Sequence, residues 1–225
     1  MKEDLRAERK LHRIEENKAE ILRAAETVFS HKGYSQTSVD DIAEEAQFSK
    51  ATIYRYFKSK DEIFYMILLN SFKEAYESMA EIQRQNIKSA EKLEEIIKFT
   101  LSYYEHKKNI ARIIFIEKSP LKKIFNIDIN PHVSSYRSHP PLPQEFMQCS
   151  NAIYKIMCDI IAEGIERGEF RDVDVQEAAH VLSAMMRGVL FQGPMRNKIY
   201  TLNESISLLI HYFLNGIKAP NSREE

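Results

Sequence analysis

Helix-breaking residues are scarce in this chain. Six glycines and seven prolines among 225 residues are too few for a many-turned β-sandwich and leave room for long helices. Charge of one sign is also lacking. The formal net charge is −1, so any nucleic-acid binding must come from a local patch rather than from bulk charge. Only two cysteines occur, Cys149 and Cys158. On one helix they are separated by roughly 13.5 Å of rise, whereas a disulfide needs Cα atoms within about 7 Å. They are therefore expected as reduced thiols in a cytoplasmic protein. The opening "MKEDLRAERK" has no apolar core, so no signal peptide is expected. No apolar run approaches the ~18 residues of a membrane helix.

Metal and catalytic signatures are missing too. Seven histidines are present, but no C-x-x-C or H-x-x-x-H pair spaces them for convergent ligation, so neither a metal nor a cofactor is expected. No Gly-rich phosphate loop, G-x-S-x-G or H-E-x-x-H occurs, and the chain does not read as an enzyme.

What is present is helical periodicity. Ile21, Leu22, Ala25, Val28 and Phe29 form one stripe, and Gly33 stops it. Thr37 or Ser38 can cap a short helix with Val39, Ile42, Ala43 and Ala46 inward. Ser49 can cap a third helix to about Phe57, and Ser59 with Glu62 opens a fourth from Lys60 past Met79. Further helices are expected from Ser89, over Ile110–Ile116, and from Glu145 to Arg167 before Gly168. Box-like starts at Asp174 with Glu177 and Thr201 with Glu204 open two more. The stretch from Asn126 to Gln144 holds four prolines and no helical period, and reads as a long loop and possible cover for a pocket mouth. The fold class is all-α: an N-terminal three-helix unit over residues 1–60, arm included, and a helical bundle over 61–225.

Charge reverses abruptly in the N-terminal unit. "DDIAEEA" holds Asp40, Asp41, Glu44 and Glu45 and no base. "FSKATIYRYFKSKDEIF" follows, with Lys50, Arg55, Lys58 and Lys60 among five aromatics and no acid before Asp61. A short helix, a turn and a second helix make a helix-turn-helix, which lays its second helix in the DNA major groove. Ile53 and Phe57, four apart, point to the core, and Arg55 must then face solvent or a ligand. Tyrosine and lysine bond phosphate oxygens, and arginine reaches guanine O6 and N7 in a fork.

The segment "ILRAAETVFSHKGYSQTSVDDIAEEAQFSKATIYRYFKSKDEIF" resembles the DNA-binding domain of the TetR family of transcriptional regulators. The pattern is I-L-x-A-A-x-x-x-F, a G-Y bend, T-S-V-x-x-I-A, a turn, and S-x-x-x-I-Y-x-Y-F-x-S-K. The resemblance implies that Ser38, Ser49, Lys50, Thr52, Tyr54, Arg55, Tyr56 and Lys60 face DNA. One residue departs from the pattern: Gln47 stands in the turn where the family often has glycine. The resemblance also implies a helical regulatory domain that dimerises and often binds a small molecule.

The C-terminal residues point the same way. "VQEAAHVLSAMMRGVLF" is apolar nearly all round. The last helix puts Leu202, Ile206, Leu209, Ile210, Phe213 and Ile217 on one side, with Leu208 and Tyr212 off it. These two helices are expected to build a homodimer, with Met185 or Leu209 as candidate partner-facing residues, and the dimer in turn implies a palindromic operator. Phe99, Tyr103, Ile113, Phe146, Ile153 and Met157 are the candidate lining of a pocket for an apolar or amphipathic effector. The expected function is a ligand-responsive DNA-binding repressor. The alternative is a DNA-binding dimer without a small-molecule ligand, governed by a protein partner.

Overall fold

The computed structural model describes residues 2–107, 143–190 and 200–217. Its helices are α1 (Lys2–Lys32), α2 (Val39–Glu45), α3 (Lys50–Tyr56), α4 (Lys60–Arg84), α5 (Ser89–His106), α6 (Gln144–Glu166), α7 (Val175–Leu190) and α8 (Leu202–Leu209). A π-helical segment, Ile210–Leu214, and a last turn, Asn215–Ile217, continue α8. No β-strand occurs among the described residues. The reading Ile110–Ile116, the candidate Ile113 and almost all of the Asn126–Gln144 loop lie outside the described residues. The chain divides into two compact units, one running through Ser71 and the other beginning at Phe72, so the division falls within α4.

The first unit is built around an aromatic cluster. Phe29, Tyr34 and Phe64 are fully buried, with ring centroids 5.1–5.6 Å apart and Phe29 edge-on to Phe64. Ile21, Ala25, Ile42, Ile53 and Ile63 are fully buried in this unit. The helix starts follow from their capping residues. Ser38, not Thr37, is the N-cap of α2, in a reciprocal capping box with Asp41. Thr37 is buried instead, its hydroxyl donating to Gly33 O at 2.7 Å. Ser49 caps α3 through Thr52 N. Ser59 accepts from Glu62 N at 3.1 Å, while the Glu62 carboxylate accepts from Lys58 N at 2.5 Å. The segment expected as an N-terminal arm is helical: α1 begins at Lys2, far ahead of the apolar stripe that opens at Ile21.

The turn between α2 and α3 is closed by two backbone bonds, Phe48 N to Ala43 O at 2.9 Å and Gln47 N to Glu44 O at 3.1 Å. This pairing of the last helical carbonyls requires a left-handed residue after the cap. Gln47 fills that place with φ +56°, the only non-glycine with positive φ among the described residues. A side chain there costs about 1–2 kcal/mol, against about 0.4–1 kcal/mol of extra unfolded-chain entropy for glycine. Gln47→Gly is therefore expected to stabilise the chain by about 0.5–1 kcal/mol, read as a higher thermal midpoint. An unchanged or lower midpoint would show that the turn is unstrained.

The second unit packs around α5, which touches α6, α7, α8 and the π-helical segment. Leu93, Ile96, Ile97, Ile160, Ile161, Ala179 and Leu182 are fully buried in its core. A charged network crosses from α5 to α6: buried Lys92 donates to Glu163 at 3.0 Å, and Glu163 also pairs with Arg167 at 2.7 Å. Helix α6 carries both cysteines as free thiols, and burial pushes the Cys158 thiol up from its ordinary value. Its C-terminal end closes as α2 does, with Gly168 N to Ile165 O and Glu169 N to Gly164 O, here with a glycine at φ +71°.

Candidate nucleic-acid interface

Helix α3 sorts its residues as the four-residue spacing of Ile53 and Phe57 requires. Those two are buried, at 0% and 4% exposure, while Lys50, Tyr54 and Arg55 are exposed. Thr52 and Tyr56 are half-buried. Ser49 and Thr52 bond one another through their hydroxyls at 2.8 Å, so both are held at the start of the helix. Ser38 is exposed at the start of α2.

Two of the four acids of α2 are matched to bases on either side. Lys32 of α1 donates to Asp41 at 2.6 Å, and Lys50 of α3 donates to Asp40 at 2.8 Å. The Lys32 ammonium and the Ser38 donors hold the Asp41 carboxyl well below the usual carboxylate range. Asp40 correspondingly raises the Lys50 ammonium above its ordinary value. Both pairs are exposed, so their worth to stability is small and salt-dependent. Their effect is to align α1, α2 and α3.

Tyr56 occupies a junction. Its hydroxyl oxygen accepts from Asn17 Nδ2 of α1 at 2.7 Å and from Arg55 at 3.0 Å, and the Arg55 guanidinium also lies 5.1 Å over its ring. These donors, with Arg55 and Arg13 nearby, pull the phenol below its ordinary value. With two bonds accepted, the hydroxyl's remaining capacity is its own hydrogen, a donor suited to an external oxygen. Lys60 behaves differently from the other bases. Its ammonium donates to Tyr34 O at 2.8 Å and Thr37 O at 2.6 Å, and sits 4.4 Å over the Tyr34 ring. Tyr34 in turn donates through its hydroxyl to Asp61. Lys60 thus fastens the α1–α2 connection to the start of α4, a role that sequence spacing does not reveal.

Of the pocket candidates, Phe99 and Tyr103 stack on α5 with centroids 5.5 Å apart, and the Tyr103 hydroxyl donates to Glu74 at 2.7 Å. Phe146 packs on Phe72 at 4.5 Å. Ile153 and Phe99 lie half-buried against the core of the second unit, and Met157 is part of that core at 4% exposure. On the expected dimer face, Val181 and Tyr212 are 48% and 65% exposed. Leu209 is 1% exposed and faces its own core, so it is not a partner-facing residue; Met185 is half-buried. No cluster able to hold a metal ion is found among the described residues, and none of their helices is long and apolar enough to cross a membrane.

Among the described residues, two short side-chain-capped helices form a helix-turn-helix, and the second carries exposed cations and a tyrosine, the arrangement by which such a motif meets DNA. The family model of bacterial regulatory proteins, tetR family, matches residues 21–65, so the segment that holds the helix-turn-helix is a DNA-binding region of the TetR type. The chain is similar along most of its length to the fatty acid metabolism regulator protein of Bacillus subtilis (strain 168), at 27% identity over 88% of this chain and 94% of that one. Among solved structures, the transcriptional regulator FadR of Bacillus subtilis in complex with stearoyl-CoA matches with TM-score 0.68 and 24% identity, over 88% of this chain and 98% of that one. A TetR/AcrR-family regulator from Thermobifida fusca matches with TM-score 0.69 and 22% identity, over 89% and 98%.

Proposed function

We propose that this chain is an operator-binding repressor, a two-fold dimer whose hold on DNA is loosened by a long-chain acyl thioester. The observation that carries the reading is the similarity to a fatty acid metabolism regulator across nearly the whole of both chains, not the DNA-binding segment alone. The second unit supports it: it holds a large aliphatic core with Phe99 packed against it, and the aromatic pairs Phe99–Tyr103 and Phe72–Phe146, residue types that suit an apolar chain. Residues 1–60 form the reading head, through Ser38, Ser49, Lys50, Thr52, Tyr54, Arg55 and Tyr56, with Lys60 at its base. Residues 61–225 take the effector and the partner, through Phe99, Tyr103, Ile113, Phe146, Ile153 and Met157 for the one and the last two helices for the other. Helix α4 runs unbroken from the first task to the second, so it is the covalent route between them.

An effector can shift DNA binding only by its differential affinity for the two states, and the coupling is reciprocal. The test uses a duplex selected from a random pool by the full chain. Two chains are expected per duplex. Stearoyl-CoA should weaken duplex binding about 5–150-fold, the range of ordinary allosteric coupling, and saturating duplex should weaken stearoyl-CoA binding by the same factor. If stearoyl-CoA binding is absent or unchanged by duplex, the acyl reading is wrong and the chain is a DNA-binding dimer that does not sense that ligand.

A further inference from the structure

The early part of α1 places its cations on one side. At 100° per residue, Arg6, Lys10, Arg13 and Asn17 fall at i, i+4, i+7 and i+11, within about 60° of arc. Arg6, Lys10 and Arg13 are exposed. Among the described residues of this stretch, the ion pairs lie elsewhere around the helix: His12 with Glu16 at 3.1 Å and Lys18 with Glu15 at 3.3 Å. The side that carries the cations is also the side that meets α3, because Asn17 is the residue that bonds Tyr56 at 2.7 Å. Arg13, one turn before Asn17, stands near enough to act electrostatically on Tyr56. The row therefore continues the exposed surface of α3 and extends it by about 16 Å, eleven residues of helical rise.

We infer that the N-terminal extension of α1 is a second DNA-contacting element, in which Arg6, Lys10 and Arg13 track phosphates of the duplex engaged by α3. The occupant is set by charge complementarity and by continuity with the reading helix: a row of cations one to two helical turns apart suits a polyanion with closely spaced charges. Flexible cations against phosphates add affinity without sequence information, whereas Arg55 at a base edge adds specificity. Asn17 is a positioning residue, since its amide ties the extension to Tyr56.

This inference rests on the DNA-binding reading above, and the test separates the two. Affinities for the selected duplex and for a random duplex are measured between about 50 and 200 mM salt, for the full chain and for the triple variant Arg6→Gln, Lys10→Gln, Arg13→Gln. Glutamine keeps helix propensity. Each phosphate contact contributes about 0.9 to the slope of log affinity against log salt, so the triple variant should lose nearly three units of slope, and its affinity should fall about 40-fold less over that range. Arg13→Gln alone should lose about one unit. Both duplexes should shift together, leaving their ratio unchanged. A triple variant with the wild-type slope would overturn the extension's role while the wild-type preference for its selected duplex keeps the reading head intact. A wild-type chain with no preference for any duplex would overturn both.

Discussion

Gly164→Ala is expected to destabilise the chain by about 2 kcal/mol, although alanine is the better helix former by about 1 kcal/mol. Gly164 lies in the last turn of α6, against buried Phe170. A Cβ there would stand 2.2 Å from two ring carbons of Phe170 and 3.0 Å from Ser89 Cβ. Carbon atoms rest at about 3.5–4.0 Å, so the ring or the helix must move. The ring cannot swing away freely. Phe170 N is bonded to Gly164 O at 3.1 Å, and the next residue, Arg171, donates to Ile217 O at 2.8 Å. Glu169 is held as well, its carboxylate accepting from Ala90 N at 3.2 Å at the start of α5. Overpacking of this kind costs about 1–3 kcal/mol beyond what the helix gains. For a chain of this size, the melting midpoint should fall by about 4–8 °C. Phe170→Leu combined with Gly164→Ala should recover part of the loss, because the clash is with the ring. A Gly164→Ala chain that melts with the wild type would show that α6 tolerates the methyl without moving Phe170.

The boundaries of the helices were legible wherever a cap or a stop names itself. Gly33, Ser49, Asp174, Gly168 and the Thr201–Glu204 box all stand where the sequence puts them. Thr37 and Ser38 could not be separated by residue type, since either hydroxyl can cap. The choice is made by burial: Thr37 turns inward to Gly33 O, which leaves Ser38 at the helix start. The π-helical segment Ile210–Leu214 was not legible, because the same apolar residues satisfy an α-helical stripe. Its wider turn leaves Phe213 and Leu214 both buried and Tyr212 exposed. The all-round apolar character of the last two helices was legible, but not which apolar residue faces which side. Leu209 goes to its own core, whereas Val181 and Tyr212 stay outside.

Around the candidate interface, spacing found the residues of α3 and missed what holds them. Asn17 lies 39 positions from Tyr56 in the chain, and a contact at that separation leaves no trace in local periodicity. The trace that was available was the row Arg6, Lys10, Arg13 and Asn17, hidden in a stretch of mixed charge. The role of Lys60 was hidden for a related reason. A lysine that closes a run of bases, two residues after Lys58, looks like another phosphate contact, yet its ammonium is committed to two backbone carbonyls 23 and 26 positions earlier.

That difference gives Arg55 and Lys60 opposite signatures. Arg55 is exposed in the last turn of α3, and its described partner is Tyr56 beside it. Removing it should leave stability within about 0.5 kcal/mol. In the complex, a guanidinium at a base edge is worth about 1–3 kcal/mol of discrimination. Arg55→Ala should therefore lower the ratio of selected to random duplex affinity about 5–150-fold. Lys60→Ala acts on the fold. It leaves the Tyr34 and Thr37 carbonyls without their charged donor and removes the cation over the Tyr34 ring. Hydrogen bonds to charged groups contribute about 1.5–3 kcal/mol, and the site is half-buried, so a loss of about 2 kcal/mol is expected after solvent has replaced part of the bonding. The ratio of the two duplexes should hold, because a clasp on backbone carbonyls reads no sequence. Thermal melting and paired titrations on both duplexes separate the cases. An Arg55→Ala chain that weakens selected and random duplexes alike would remove Arg55 from base reading. A Lys60→Ala chain that melts with the wild type would mean that the clasp between the α1–α2 connection and α4 contributes nothing to the reading head.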